Sequence, residues 1–206
     1  MTVEILDIGS GNIKSIQNWI ERLGVPTRII TRAFDIKSKF IILPGVGSAG
    51  SYMRRVRKLE FDKAILDHIN NDGRLLGICL GFQIMGHYSQ EDNGVEGLGI
   101  LDCYTERLDN NSTHNGWEEF VFRRKDLRDQ SFNSELRLTR KQNIQGRVFY
   151  NHEYGVVHNG DNAYNKVISD EYSKYSSIIV QDNIIGIQFH PEKSQQTGLD
   201  IISMIL

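Results

Sequence analysis

A chain of 206 residues, 39% hydrophobic and 24% charged, is long enough to bury a core and reads as one domain over residues 1–206. Its 24 Lys and Arg nearly balance 26 Asp and Glu, and a net charge of −2 excludes any general attraction to nucleic-acid backbones or anionic membranes. No apolar run is long enough to cross a bilayer and "MTVEILDIGSGN" lacks a basic-then-apolar leader, so a cytoplasmic protein is expected. In that reducing compartment Cys79 and Cys103 are expected as free thiols, and two cysteines without CxxC spacing carry no zinc signature.

In chain order, "VEILDI" (Val3 to Ile8) predicts a strand that ends in the turn "GSGN". Ile13, Ile16, Trp19, Ile20 and Leu23 then recur at helical spacing until Gly24 stops the helix. "TRIIT" (Thr27 to Thr31) and "KFIILPG" (Lys39 to Gly45) predict two more strands. Leu59 to Ile69 has helical periodicity with Gly73 as its stop, before a strand "RLLGIC" and a helical pattern from Leu80 through Gln83, Ile84 and His87. Strands alternating with helices predict an α/β fold with an open, largely parallel central sheet flanked by helices.

The second half is different. "GLGILDCYTERL", "NGWEEFVF", "GRVFYNHEYGVV", "YSSIIVQDN" and "IIGIQFH" are short β-type runs and predict added antiparallel strands. Arg123 to Gln145 is polar and predicts a surface excursion, and "TGLDIISMIL" predicts a closing helix.

Chemistry concentrates at strand ends. Cys79 stands between strand and helix, with Gly77 and Gly81 two residues to either side, the spacing of a nucleophile elbow. Unpaired N–H groups at a helix start favour a thiolate; the bland reading is a small buried residue that ends a strand. "IIGIQFHPEKS" supplies His190 as a base for a thiol and Glu192 as the carboxylate that orients it, with Pro191 stiffening the turn between them. Alone, His190 would more often be structural. The glycines of "ILPGVGSAG" can aim backbone N–H groups at a developing oxyanion, and the loop lacks the Lys and hydroxyl of a phosphate-binding loop.

Together and in this order, "PGVG", "GICLGFQ" and "FHPEKS" resemble the three signatures of class I glutamine amidotransferases. The resemblance covers essentially the whole chain. It implies Cys79 as nucleophile, His190 as base and Glu192 as its orienting group, acting on the side-chain amide of L-glutamine with no cofactor and no metal. It also implies an oxyanion hole from the N–H groups of Val46 and Leu80, and glutamine-binding roles for Gly47, Gln83 and Glu91.

"THNGWEEF" (Thr113 to Phe120) resembles the H-M-G-W-N motif in the glutaminase subunits of imidazole glycerol phosphate synthases, which pass ammonia to a (β/α)8-barrel cyclase. That resemblance implies a heterodimer with His114, Trp117 and Lys193 at the partner interface. Asn115 and Glu118 depart from the motif, and Asn151 and Glu153 depart from a family pattern like F-V-H-S-Y. A paralogue that feeds another acceptor, such as an enzyme modifying a surface-polysaccharide sugar, is therefore a second expectation. A catalytically silent binding module and a cysteine hydrolase of other amides are the readings from outside this group.

Overall fold

The computed structural model describes residues 1–123, 143–158, 172 and 174–206. Its first half runs β1 (Val3–Leu6), α1 (Ile13–Glu21), β2 (Thr27–Ile30), β3 (Phe40–Gly45), α2 (Ala49–Lys58), α3 (Phe61–Asn70), β4 (Arg74–Cys79) and α4 (Leu80–Gln83). The second half adds β5 (Tyr88–Ser89), β6 (Val95–Glu96), β7 (Cys103–Arg107), β8 (His114–Arg123), β9 (Asn143–His152), β10 (Tyr154–His158), β11 (Ile178–Gln181), β12 (Ile184–Ile187) and α5 (Gln195–Ile205).

Six strands form the central sheet in the order β11-β12-β4-β3-β1-β2, all parallel except β11 at one edge. The inner strands β12, β4, β3 and β1 are buried along nearly their whole length because both faces are covered. Ile5, Ile42, Leu76 and Ile185 pack in one layer with Trp19 and Ile202. Ile41, Leu43, Leu75 and Ile184 pack in the other with Val56 and Ile65.

Register decides where chemistry can occur. Gly45 lies opposite Cys79, and Ile187 opposite Ile78, so β3, β4 and β12 all deliver their following loops to the same end of the sheet. This is the carboxyl end, where open α/β sheets bind ligands.

Three local expectations need correction. The sequence pattern did not indicate α2, whose buried Tyr52, Met53 and Val56 lie among Arg and Lys, and α3 begins at Phe61 because Glu60 adopts a left-handed backbone between the two helices. Asp72, with φ of 58°, reverses the chain after α3, whereas Gly73 is small because a Cβ there would meet the His68 ring at 2.3 Å. The helix after Cys79 is a single turn: beyond Gln83 the backbone carbonyls of Ile84, Met85 and Gly86 accept hydrogen bonds from Leu98, Ile100 and Gly99 instead. The added strands are present as expected: β11 pairs antiparallel at the edge of the central sheet, and the others build the β10-β7-β5-β6 sheet, where β5 and β7 run parallel, and the β8-β9 hairpin. Most of the polar segment after β8, residues 124–142, lies outside the described residues.

Candidate active site

Cys79 ends β4 with φ of 53° and ψ of −112°, a conformation that costs a non-glycine residue about 1–3 kcal/mol. The surroundings hold it there. A Cβ on Gly81 would meet the Leu43 carbonyl oxygen at 1.9 Å, and one on Gly45 would meet the Gly81 nitrogen at 2.7 Å, so these glycines let β3 and α4 touch. Phe82 is fully buried against Gly186 of β12, which contributes roughly 1.5–3 kcal/mol. The flanking glycines thus serve close packing, and the strained backbone belongs to the cysteine itself. A one-turn helix also has little macrodipole, so electrostatic help for the thiol must come from elsewhere.

It comes from His190, buried just beyond β12. Its Nδ1 lies 2.9 Å from Glu192 Oε1, and its ring also hydrogen-bonds Cys79, which leaves Nε2 for the sulfur. Burial alone would lower the imidazole pKa, but the hydrogen bonds and charges of Cys79 and Glu192 outweigh it and raise the value to about 10. His190 is also tied to the hairpin: its N–H donates to the Phe149 carbonyl at 2.8 Å, and Ser194 Oγ donates to its carbonyl at 2.7 Å while accepting from Phe149 N–H at 3.1 Å.

A cavity of about 430 Å³ joins Cys79, His190, Val46, Gly47, Gln83 and Glu91. Leu80 also lines it, with its N–H in the first turn of α4, where no preceding carbonyl can accept it. Val46 accepts a hydrogen bond at its carbonyl from Ser10 Oγ, and Gly47 follows with φ of +98°, open to glycine and strained for other residues. Glu91 accepts the Ala49 N–H at 2.9 Å, at the start of α2; burial raises its carboxyl pKa, and that hydrogen bond opposes the rise. Gln83 is buried, donating from Nε2 to the Tyr154 carbonyl at 2.5 Å and to Gln188 Oε1 at 3.2 Å. A larger cavity of about 720 Å³, between α3 and the β2–β3 connection, contains no thiol. No group of three metal-ligating side chains occurs among the described residues, and no described helix is long and apolar enough to cross a membrane.

The family described as Glutamine amidotransferase class-I matches residues 4–203. The chain belongs to this family. It is 34% identical to imidazole glycerol phosphate synthase subunit HisH of Oceanobacillus iheyensis, over 97% of this chain and 96% of that relative. It is 31% identical to the HisH subunit of Bacillus subtilis over 98% and 93% of the two chains. The chloroplastic imidazole glycerol phosphate synthase hisHF of Arabidopsis thaliana is 29% identical over 99% of this chain but only 34% of the plant protein. In architecture the chain is similar to PurLQS from Thermotoga maritima, with a TM-score of 0.69 at 16% identity, covering 99% and 97% of the two chains.

As a class-I amidotransferase the chain presents a distinctive hairpin beside its cavity. Trp117 is 37% exposed, packs edge-on against Phe149 at 5.6 Å and has the Arg147 guanidinium above it. Lys193 is exposed, lines the cavity and sits 5.4 Å from the Phe149 ring. His114 is buried, because alternation along β8 turns it inward while Trp117 turns out. Of the four departures from the family pattern, the two carboxylates find partners within the chain: Glu118 lies 3.4 Å from His114 Nε2, and Glu153 pairs with Arg107 at 3.0 Å. Sequence reasoning missed Ser10, Gln188 and the Tyr154 carbonyl. The last has no side-chain signature to read, and Ser10 acts from a loop far from Val46 in sequence.

Proposed function

We propose that this chain is the glutaminase subunit of an imidazole glycerol phosphate synthase, hydrolysing L-glutamine and delivering the ammonia to a (β/α)8-barrel cyclase. The observation that carries the reading is Cys79, strained into an elbow and hydrogen-bonded to a His190 that Glu192 holds from the other side. His190 takes the thiol proton, and the sulfur attacks the side-chain amide carbon of glutamine. The resulting oxyanion meets the N–H groups of Leu80 and Val46. Proton return from His190 to the amide nitrogen breaks the C–N bond, releases ammonia and leaves a thioester on Cys79. His190 then deprotonates a water that attacks the thioester, breaks the C–S bond and frees glutamate. No step needs a cofactor.

Gln83, Glu91 and Gly47 line the space where the substrate's α-amino and α-carboxyl ends would lie. Trp117, Phe149 and Lys193 form the outward face offered to the cyclase, with a large aromatic of the kind that anchors interfaces. The HisH relatives support this pathway, as does the plant relative, of which this chain spans 34%. The two charged departures, Glu118 and Glu153, would favour a different acceptor if their charges needed a new partner. Internal pairing of Glu118 and Glu153 removes that need and keeps the histidine-pathway cyclase first.

The test is glutamate release from glutamine by the chain alone and with a histidine-pathway cyclase carrying its ribonucleotide ligand. Strong stimulation by the liganded cyclase is expected, because the Gly47 hinge and the Ser10 contact let the oxyanion loop be reset on assembly. Full turnover by the isolated chain, unchanged on adding the cyclase, contradicts this reading.

A further inference from the structure

We propose that the buried histidine pair His114 and His152 is a positioning device, linking Glu118 on β8 to the Tyr154 carbonyl and through it to Gln83 in the cavity. This rests on the glutaminase reading only for its kinetic consequence.

The hydrogen-bond directions follow from the partners. His152 Nδ1 lies 2.8 Å from the Tyr154 carbonyl oxygen, which can only accept, so Nδ1 carries a proton. Burial is the main cause that lowers the His152 pKa to about 3, so its ring is neutral and Nε2 is an acceptor. That acceptor faces His114 Nδ1 at 3.2 Å, so His114 Nδ1 donates. The other nitrogen of His114 then faces the Glu118 carboxylate at 3.4 Å, and a proton there makes the contact attractive. His114 protonated on both nitrogens has a hydrogen bond from Nδ1 to His152 and a charge contact from Nε2 to Glu118. Two parallel rings flank it, Tyr150 at 4.2 Å and Tyr172 at 4.1 Å, an environment that suits a flat cation.

The chain of contacts continues past Tyr154. Its carbonyl also accepts from Gln83 Nε2 at 2.5 Å; Gln83 donates in turn to Gln188, whose amide nitrogen is 4.0 Å from Cys79 Sγ. Register opposes His114 and His152 directly, so the pair forms wherever β8 and β9 zip in this alignment. Glu118 stands four residues from His114 on the same inward face of β8, one position from the Trp117–Phe149 pair, whose Trp117 faces outward. A contact made on that outer face is thus one strand thickness from a network that ends on Gln83.

Two measurements on Glu118→Ala, His114→Phe and Glu118→Gln test this. Nuclear magnetic resonance of the full chain with isotope-labelled histidine reads the ring protons directly. Wild-type protein is expected to show His152 protonated on Nδ1 only, with its ring-nitrogen resonances shifted by Glu118→Ala. A His152 proton on Nε2, or no shift in the variant, overturns the proposal whether or not the chain proves to be a glutaminase. Kinetics with the cyclase then reads the coupling. Glu118→Ala and His114→Phe are expected to raise the KM for glutamine about fivefold with kcat within about twofold. Iodoacetamide should label Cys79 at an unchanged rate, and Glu118→Gln should restore KM. An unchanged KM in a folded Glu118→Ala protein overturns the proposal, and so does a parallel loss of kcat and Cys79 reactivity, the mark of general damage. Failure of the wild-type complex to release glutamate would overturn the glutaminase reading and leave the resonance result to decide the network.

Discussion

Two histidines in this molecule share burial and strand-end positions yet hold their protons in opposite ways. His190, at the elbow, is driven up to about 10, while His152, at the base of the hairpin, is driven down to about 3. Burial disfavours the charged ring at both sites. The partners make the difference: His190 faces a carboxylate and a thiol, whereas His152 faces a neutral carbonyl and a second histidine ring. One region is built to hold and transfer a proton, and the other to hold a fixed hydrogen-bond direction. Partner chemistry, rather than depth, assigns the role of a buried histidine.

The largest effect expected is at the elbow. Cys79→Ala should lower glutamine-dependent turnover about 10⁴-fold or more, while a complex with the cyclase still uses free ammonia. Loss of both activities would mean that Cys79 is needed for assembly rather than for attack. Next comes the packing beneath it: Gly81→Ala would put a Cβ 1.9 Å from the Leu43 oxygen. Denaturant titration should show a loss of about 3 kcal/mol, and displacement of the thiol should lower turnover about 100-fold.

The histidine comparison predicts two pH windows. For His152 the folded pKa lies below the unfolded value, so its contribution to stability is present above about pH 6.5 and is lost as pH falls toward about 3. His190 has the reverse sign: its contribution is present below about pH 6.5 and is lost as pH rises toward about 10. Unfolding free energies of wild type and His152→Phe should therefore converge on acidification, and those of wild type and His190→Asn on alkalinisation. Each difference should change by up to about 1.4 kcal/mol per pH unit. Equal slopes in wild type and variant would break the comparison. The smallest effect on the chain itself is expected on the outer hairpin face. Trp117→Ala should change stability by within about 0.5 kcal/mol, yet weaken association with the cyclase about tenfold or more by calorimetry.

What the sequence made legible follows the same division. The parallel strands were readable because burial on both faces leaves continuous Ile, Leu and Val runs, and Cys79, His190 and Glu192 were readable because side-chain chemistry sits on motifs at strand ends. The α2 helix was hidden because "AGSYMRRVRK" gives its buried face only a few apolar residues amid cations. The helix after Cys79 was read too long because Ile84 and Met85 fit helical spacing, while their carbonyls are taken by Leu98 to Leu101. The hairpin network was hidden for a different reason: it depends on register, which sets His114 opposite His152, and on the Tyr154 backbone carbonyl.

The most direct test of the account is reaction with a diazoketone analogue of glutamine followed by peptide mass spectrometry. Cys103 provides an internal control, since burial raises its thiol pKa to about 12 and leaves it unreactive. The account predicts one adduct per chain, on Cys79, suppressed by excess glutamine. Labelling of Cys103 instead, or no adduct on Cys79 in the presence of the liganded cyclase, would contradict it.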